Sequence, residues 1–222
     1  MLALARVLRH AGVTFGVLRK EKCTGDPARR LGNDLAVSQV AESNIEMLRS
    51  AKVGKMVSIC PHCVRTIGTD WQEFGGTFQI EHHSRLLARL DGRLPAAQGT
   101  REKVVFHDPC YLGRYQNVYE EPRAVIARTA DVTDPGRSRE RSFCCGAGGG
   151  QMFLGEEKGK RVNVERAEEL VATGAQVIGT ACPFCQTMFR DALGAVTQSP
   201  PKLLDIAQIA AAALPAAGTK PA

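Results

Sequence analysis

The chain has 222 residues, 44% of them hydrophobic and 23% charged, a mixture that excludes wholesale disorder, collagen and coiled coil. It contains no run of 18 apolar residues and no secretory signal pattern at its start, so we expect a cytoplasmic protein without a membrane span of its own. The net charge of +6 comes from dispersed basic residues and aromatic residues make up only 5%, which argues against nucleic acid as a partner.

Helical and strand patterns alternate along the chain. Apolar residues at helical spacing predict helices over residues 1–10, 36–50, 84–90, 122–128, 163–173 and 203–212. Short β-branched runs predict strands over residues 13–18, 55–59, 77–81, 104–107 and 177–181. A stretch over 91–103 that is rich in glycine, proline and alanine predicts a linker. The alternation predicts an α/β fold with parallel sheets.

The sequence also repeats itself. A helix, a strand and a Cys-Pro-x-Cys motif occur twice, with the motif at Cys60-Pro61-His62-Cys63 and again at Cys182-Pro183-Phe184-Cys185. A cysteine and glycine loop precedes each copy, as Cys23-Thr24-Gly25 and as Cys144-Cys145-Gly146. We therefore predict a first domain over 1–95, a second domain over 96–212 and a flexible tail over 213–222.

Eight cysteines in a chain without an export signal are more typical of metal ligands than of disulfides. Five of them fall in the second repeat, in three stretches that each lie near the end of a predicted strand. Because the ends of parallel strands meet at one edge of a sheet, we expect these five thiols to lie close together. Five thiols exceed the four ligands of a tetrahedral zinc and suit an iron–sulfur cluster. The predicted ligands are Cys110, Cys144, Cys145, Cys182 and Cys185.

A glycine-rich loop follows the paired cysteines. Its glycines allow close approach of the backbone and offer N–H groups to anionic sulfur, so we predict cofactor contacts from Gly146, Gly148 and Gly149. The loop does not follow the Gly-x-Gly-x-x-Gly spacing of a dinucleotide site.

Four segments carry a resemblance to a known family: Gly25-Asp26-Pro27-Ala28-Arg29-Arg30-Leu31-Gly32-Asn33, His107-Asp108-Pro109-Cys110-Tyr111-Leu112-Gly113-Arg114, Cys144-Cys145-Gly146-Ala147-Gly148-Gly149-Gly150 and Thr180-Ala181-Cys182-Pro183-Phe184-Cys185. They resemble the cysteine-rich CCG domain of B-type and D-type heterodisulfide reductase subunits, glycolate oxidase iron–sulfur subunits and related oxidoreductases. The resemblance implies two Rossmann-like halves, a [4Fe-4S]-type cluster that is non-cubane in the heterodisulfide reductases, and electron transfer with a flavoprotein partner such as an electron-transfer flavoprotein.

The first repeat departs from the family pattern. Thr24 stands where the pattern has a second cysteine, and the leading strand with its cysteine is missing, so we expect this to be the C-terminal part of a longer protein. Longer family members carry a membrane segment and a ferredoxin-like module upstream, which would attach the protein to a membrane. Cys23, Cys60 and Cys63 are predicted to be the remnant of a second metal site, which holds another cluster, zinc or no metal.

Two other functional classes stay open at this point. One is a zinc-stabilised interaction module, and the other is a dithiol–disulfide oxidoreductase without metal. Several polar residues near the motifs have ordinary structural interpretations. His82, His83 and His107 are expected to be hydrogen-bonded histidines at strand ends, and Asp108 is expected to be a turn residue before Pro109.

Overall fold

Parallel strands followed by helices build both halves of the molecule. The computed structural model describes residues 1–94, 96, 100–155 and 158–215. Parts of the predicted linker and all but three residues of the predicted tail lie outside these described residues.

The first half contains a small parallel sheet and five α-helices. Strand β1 pairs with β2 in a register that places Met56 opposite Ile80. Short 3₁₀ helices follow α4 and α5, at Asp70–Phe74 and Asp91–Arg93. The elements are α1 (Leu2–His10), α2 (Asp26–Arg30), α3 (Asp34–Ser50), β1 (Lys55–Ser58), α4 (Pro61–Gly68), β2 (Gln79–His82) and α5 (His83–Arg89).

The second half contains a parallel sheet of four strands in the order β4-β3-β5-β6. Two 3₁₀ helices, Arg139–Arg141 and Gly148–Phe153, flank the paired cysteines. The elements are β3 (Lys103–Phe106), α6 (Cys110–Gln116), α7 (Glu120–Ala127), β4 (Asp131–Thr133), α8 (Val162–Val171), β5 (Val177–Thr180), α9 (Pro183–Val196), β6 (Lys202–Asp205) and α10 (Ile206–Ala212). The predicted α/β fold with two related parallel-sheet halves is confirmed.

Two predicted elements differ from the structure. Residues 13–18, which we predict to be a strand, form no strand. The corresponding strand of the second half, β4, pairs only with β3, and residues 13–18 lack such a partner because the described part of the first half has no equivalent of β3. Val13 and Phe15 instead pack against the largest apolar core. The predicted helix over 203–212 begins as strand β6, because Leu203 and Leu204 pair with β5, and α10 starts only after the capping residue Asp205.

The largest apolar core is built by both halves. Helices α1 and α5 of the first half contribute Leu4, Val7 and Leu87, which pack with residues of β3, α7 and α10 of the second half. Smaller cores lie around Trp71 in the first half and around Phe189 in the second. The boundary that we predict at residue 95 therefore separates two repeats that share one interior. No helix in the described ranges has both the length and the apolar character needed to cross a bilayer.

Close packing at Gly113 fixes helix α6 and, with it, the first cysteine of the second half. A Cβ atom at Gly113 would overlap the ring of Tyr119 and lie 3.1 Å from its Cζ, so the absence of a side chain lets α6 approach the start of α7. Gly194 in α9 is a contrasting helical glycine, since a Cβ there would meet nothing within 4 Å.

We expect Gly113→Ala to lower the free energy of unfolding by about 1–3 kcal/mol, because the added methyl group overpacks the contact with Tyr119. Gly194→Ala is the matched control and should raise stability by about 0.5–1 kcal/mol through its better helix propensity. Urea unfolding of the two variants and the parent measures both effects. Equal stabilities of the two variants would contradict the proposed role of Gly113.

Candidate metal centre

Three of the predicted ligands stand at junctions between a strand and a helix. Cys60 caps α4 after β1, Cys182 caps α9 after β5, and Cys110 opens α6 after β3. Pro61 and Pro183 follow their cysteines in the first turn of the helix, where proline is tolerated, whereas Pro109 is the N-cap residue that precedes Cys110. These junctions lie at the carboxyl ends of parallel strands, the edge where α/β proteins place their sites.

Cys144 and Cys145 reach the same region by a different route. The sequence places them at the end of a strand, and this prediction is wrong: they lie in a loop between the two 3₁₀ helices of the second half. Cys145 is buried, whereas Cys144 is half-buried. The loop is held by hydrogen bonds of Ser142, whose Oγ donates to the carbonyl of Asp108 at 3.0 Å.

Thiol contacts join these separate stretches into one row. Side-chain contacts place each cysteine next to the following one in the order Cys63, Cys60, Cys182, Cys185, Cys145, Cys144 and Cys110. All five predicted ligands of the second half belong to this row. We call it the thiol row below.

Two thiols of the row have lowered pKa values. Hydrogen bonds from Cys110 and Cys145, helped by the N–H of Gly146, lower the pKa of Cys144 to about 2. Burial alone would raise the pKa of Cys182, but hydrogen bonds from Cys185 and Cys60 and from backbone amides bring it well below its usual range.

The thiols next to them have raised pKa values. The hydrogen bond to Cys182 raises the pKa of Cys60 to about 12, and the hydrogen bond to Cys144 and burial raise the pKa of Cys110. The contact with Cys144 raises the pKa of Cys145, and burial raises that of Cys185. Neighbouring thiolates repel each other in a buried site, so these groups can all ionise only if a cation is bound there.

The paired glycine loops have the same local geometry in both halves. The N–H of Gly146 points at Cys144 Sγ at 3.3 Å, and that of Gly25 points at Cys23 Sγ at 3.5 Å. Both glycines adopt positive φ, +87° and +92°, which favours glycine. Gly148 and Gly149 begin the following 3₁₀ helix, and a Cβ at either would meet nothing within 4 Å.

The three cysteines of the first half differ in their surroundings. Cys23 is exposed, whereas Cys60 is buried against Cys182 of the other half. Thr24 occupies the place of the second cysteine of the loop, and its hydroxyl donates to Cys63 Sγ at 3.6 Å. Cys60 and Cys63 thus extend the thiol row of the second half.

An aromatic contact explains why Cys60 faces the second half. The ring of His62 stacks on Tyr111 with 3.7 Å between centroids and lies 4.5 Å from the ring of Phe184. Tyr111 follows Cys110, and Phe184 lies between Cys182 and Cys185. Asp26 accepts a hydrogen bond from His62 Nδ1 at 2.8 Å and holds the ring in place. This contact was not predicted, because nothing in a single sequence relates residues from different halves.

A fully buried arginine organises the other side of the row. Arg166 Nε donates to His107 Nδ1 at 3.2 Å, and its Nη1 donates to Glu169 at 2.7 Å. Arg166 was not among the predicted site residues. The helical spacing could have indicated that Arg166 is buried, because it lies on the same face of α8 as Asn163, Ala167 and Leu170, which are buried.

His107 itself is buried beside two of the sulfur atoms. A ring nitrogen of His107 and the sulfur atoms of Cys145 and Cys185 all lie within 4.8 Å of one another. Its Nε2 has no hydrogen-bond partner in the structure, and an unpaired buried N–H costs about 1–3 kcal/mol. Burial and the charge of Arg166 hold the pKa of His107 well below its usual range.

Asp108 is a buried ion-pair partner rather than a simple turn residue. Its two carboxylate oxygens accept hydrogen bonds from Arg123 at 2.7 and 2.9 Å, and one of them also accepts from the N–H of Arg139 at 2.8 Å. Arg123 also pairs with Asp134 at 2.6 Å. This ion pair fixes the backbone between β3 and Cys110.

His82 and His83 have the structural role that the sequence predicts. Both are fully buried; His82 Nε2 contacts the carbonyl of Ala181 at 3.0 Å, and His83 Nε2 contacts Asp205 at 3.1 Å. Ala181 precedes Cys182, so this contact also fixes the second half to the end of β2.

The fold and the thiol row define the class of protein: two cysteine-rich α/β halves that present their cysteine motifs to a common interface. The chain belongs to the family of CCG cysteine-rich domains, which it matches over residues 1–68 and 104–190. Both repeats fall within the match, in agreement with the internal repeat.

Relatives support this assignment over most of the chain. It is 42% identical to "Probable iron-sulfur-binding oxidoreductase FadF" of Bacillus subtilis over 86% of the chain, and 36% identical to "EtfAB:quinone oxidoreductase" of Syntrophomonas wolfei over 93%. It is 32% identical to the D-type component of the dihydromethanophenazine:CoB–CoM heterodisulfide reductase of Methanosarcina mazei over 85%. The matches cover 28%, 31% and 49% of these relatives, so the chain corresponds to only part of each.

We expect Asp108→Ala to lower the free energy of unfolding by about 3 kcal/mol, because it leaves a buried guanidinium with one partner fewer. Asp131→Ala is the matched control: Asp131 pairs with Arg101 at the surface, and such pairs contribute about 0.2–1 kcal/mol. Chemical unfolding of both variants measures the difference. A loss for Asp108→Ala no larger than that for Asp131→Ala would show that the buried pair does not stabilise this junction.

Proposed function

We propose that this chain is the cluster-binding part of a larger iron–sulfur oxidoreductase and that it transfers electrons through a [4Fe-4S]-type cluster. Cys110, Cys144, Cys145, Cys182 and Cys185 are its proposed ligands. The observation that carries the proposal is the thiol row, in which five thiols from three separate stretches form consecutive contacts.

Metal binding at the row would be coupled to proton release. Cys110, Cys145 and Cys185 have raised pKa values because they contact Cys144 or Cys182 or are buried, and metal binding releases such protons by stabilising the thiolates. The half-buried Cys110 and Cys144 lie at one end of the row. When bound, an iron–sulfur cluster supplies one-electron redox chemistry that the thiols alone lack.

The spacing of the donors favours several irons over a single zinc. In a tetrahedral zinc site with Zn–S bonds of about 2.3 Å, the sulfur atoms lie about 3.8 Å from each other. In the described part of the chain, the only trio of Cys, His, Asp or Glu donors within 4.8 Å of one another contains two cysteines and His107. An extended row of thiols suits a polynuclear cluster, whose irons share the ligands.

For the first half we propose a more limited contribution. Cys60 and Cys63 remain candidate metal ligands, placed beside the proposed cluster, and Cys23 remains a candidate at the surface. Gly146 is supported as a cofactor contact by its N–H donation to Cys144. Gly148 and Gly149 are proposed contacts because the space beside them is open.

The electron donor and acceptor belong to the whole protein. We infer a flavoprotein donor, because the family resemblance implies one. The name of the Syntrophomonas relative supports a quinone as the electron acceptor. We propose that a longer form of the protein carries a membrane segment or a ferredoxin-like module upstream, and that such a segment, or a partner subunit, associates the protein with a membrane. Nucleic acid is not a proposed partner.

Disulfide reduction is a second candidate, favoured by the similarity to the heterodisulfide reductase of Methanosarcina mazei. A disulfide takes up two electrons and two protons and leaves as two thiols, and here the electrons would come from the flavoprotein donor. Consumption of a mixed disulfide with a chemical reductant, and its absence in a variant that lacks the cluster, would distinguish this activity from simple electron transfer.

Anaerobic reconstitution of the chain with iron and sulfide tests the proposal. We expect a brown protein with acid-labile sulfide and an electron paramagnetic resonance signal on reduction or oxidation. Zinc without sulfide would support the interaction module instead. A metal-free protein with thiol–disulfide activity would support the third class.

Cys145→Ser should abolish the cluster signal, because it removes a buried thiol from the middle of the row. Cys23→Ser is the comparison; it removes an exposed thiol that is not among the five proposed ligands of this cluster, so the cluster signal should remain. The iron and sulfide contents of both variants report how much cluster each variant holds. Full iron content in Cys145→Ser would remove Cys145 from the ligand set.

A further inference from the structure

Buried polar groups without a partner are rare, and one of them adjoins the proposed centre. Of the five such side-chain atoms among the described residues, His107 Nε2 stands out because its ring has a nitrogen within 4.8 Å of both Cys145 and Cys185 sulfur atoms. The His107 side chain is 1% exposed and packs edge-on against Phe189 at 4.7 Å between centroids. Because the ring is buried and packed, neither a water molecule nor a change of rotamer readily provides a hydrogen-bond partner for this nitrogen.

The contact with Arg166 decides which nitrogen carries the proton. A guanidinium can only donate hydrogen bonds, so His107 Nδ1 must be the acceptor of the bond from Arg166 Nε. A neutral imidazole has one N–H, and it therefore sits on Nε2. An Nε2 that carries a proton has no lone pair for a metal ion.

Arg166 is itself held in one orientation. It is fully buried, and its Nη1 donates to the carbonyl of Arg137 at 2.9 Å and to Glu169 Oε2 at 2.7 Å. Glu169 is fixed in turn by Arg137, whose Nε donates to it at 3.0 Å. The tautomer of His107 is thus set by the buried Arg166, which Glu169 and Arg137 hold in place, and does not depend on the metal.

We propose that His107 is a positioning residue of the iron–sulfur centre: its Nε2–H donates a hydrogen bond to the thiolate of Cys145 or Cys185 and is not a metal ligand. The proposal rests on the proposed function, since metal binding ionises the ligand thiols and makes their sulfur atoms strong hydrogen-bond acceptors. Hydrogen bonds to the sulfur ligands of a cluster raise its reduction potential.

The test compares three variants of the full chain after anaerobic reconstitution. His107→Leu removes the donor, His107→Gln keeps an N–H at about the reach of Nε2, and His10→Leu is a control at an exposed histidine of α1. Iron and sulfide contents report on ligation, and a redox titration followed by electron paramagnetic resonance reports the midpoint potential.

We expect all three variants to retain the iron and sulfide of the parent. His107→Leu should shift the midpoint potential to more negative values, whereas His107→Gln and His10→Leu should stay near the parent. An unchanged potential in a fully loaded His107→Leu variant overturns the proposal. Loss of iron in both His107 variants overturns it as well, because that result makes His107 a ligand.

A measurement without substitution covers the case in which His107→Leu does not fold. In ¹⁵N–¹H spectra of the histidine rings of the unloaded parent protein, we expect His107 with an unprotonated Nδ1 and a protonated Nε2. A proton on Nδ1 overturns the proposal. The parent's own iron and sulfide contents test the proposed function separately, since a parent that binds neither refutes the cluster itself.

Discussion

The distribution of charge along the thiol row governs the rest of this structure. Seven thiols in consecutive contact cannot all be thiolates without a compensating cation, and within the row Cys144 and Cys182 have lowered pKa values. The surrounding residues hold the row together. Proline-bearing helix starts, the buried pair of Asp108 with Arg123 and the contact of Arg166 with His107 all fix backbone next to a cysteine. The protein thus fixes the backbone around its sulfur donors through contacts of its own side chains.

The two repeats contribute unequally to this arrangement. The second half supplies the full set of cysteines and a complete four-stranded sheet, whereas the first half has a two-stranded sheet in its described residues and Thr24 in place of a thiol. Yet the first half is not a passive remnant in the structure. The stack of His62 on Tyr111 brings Cys60 to Cys182, so the two Cys-Pro-x-Cys motifs meet across the interface.

Local patterns predicted much of the fold and the motifs, because Cys-Pro-x-Cys at a strand end dictates a helix start by itself. The errors arose where structure depends on a partner. Residues 13–18 have strand character but no strand to pair with, and Leu203 with Leu204 joins β5 although the pattern favours a helix. The sequence identified the eight cysteines as candidate ligands, but it did not show which cysteine lies next to which in space. The relative placement of Cys60 and Cys182 depends on how two halves pack, which no local periodicity encodes.

The interior that α1, α5, α7 and α10 share has a consequence for how this region can be divided. A fragment cut near residue 95 would uncover Leu4, Val7 and Leu87 on one piece and their partners on α10 on the other. Each such side chain loses about 1.5–3 kcal/mol of burial when it faces water, and three of them amount to much of a small domain's stability. Neither repeat is then a self-sufficient building block. Fusion proteins and expression fragments that include this region should carry both repeats as one unit.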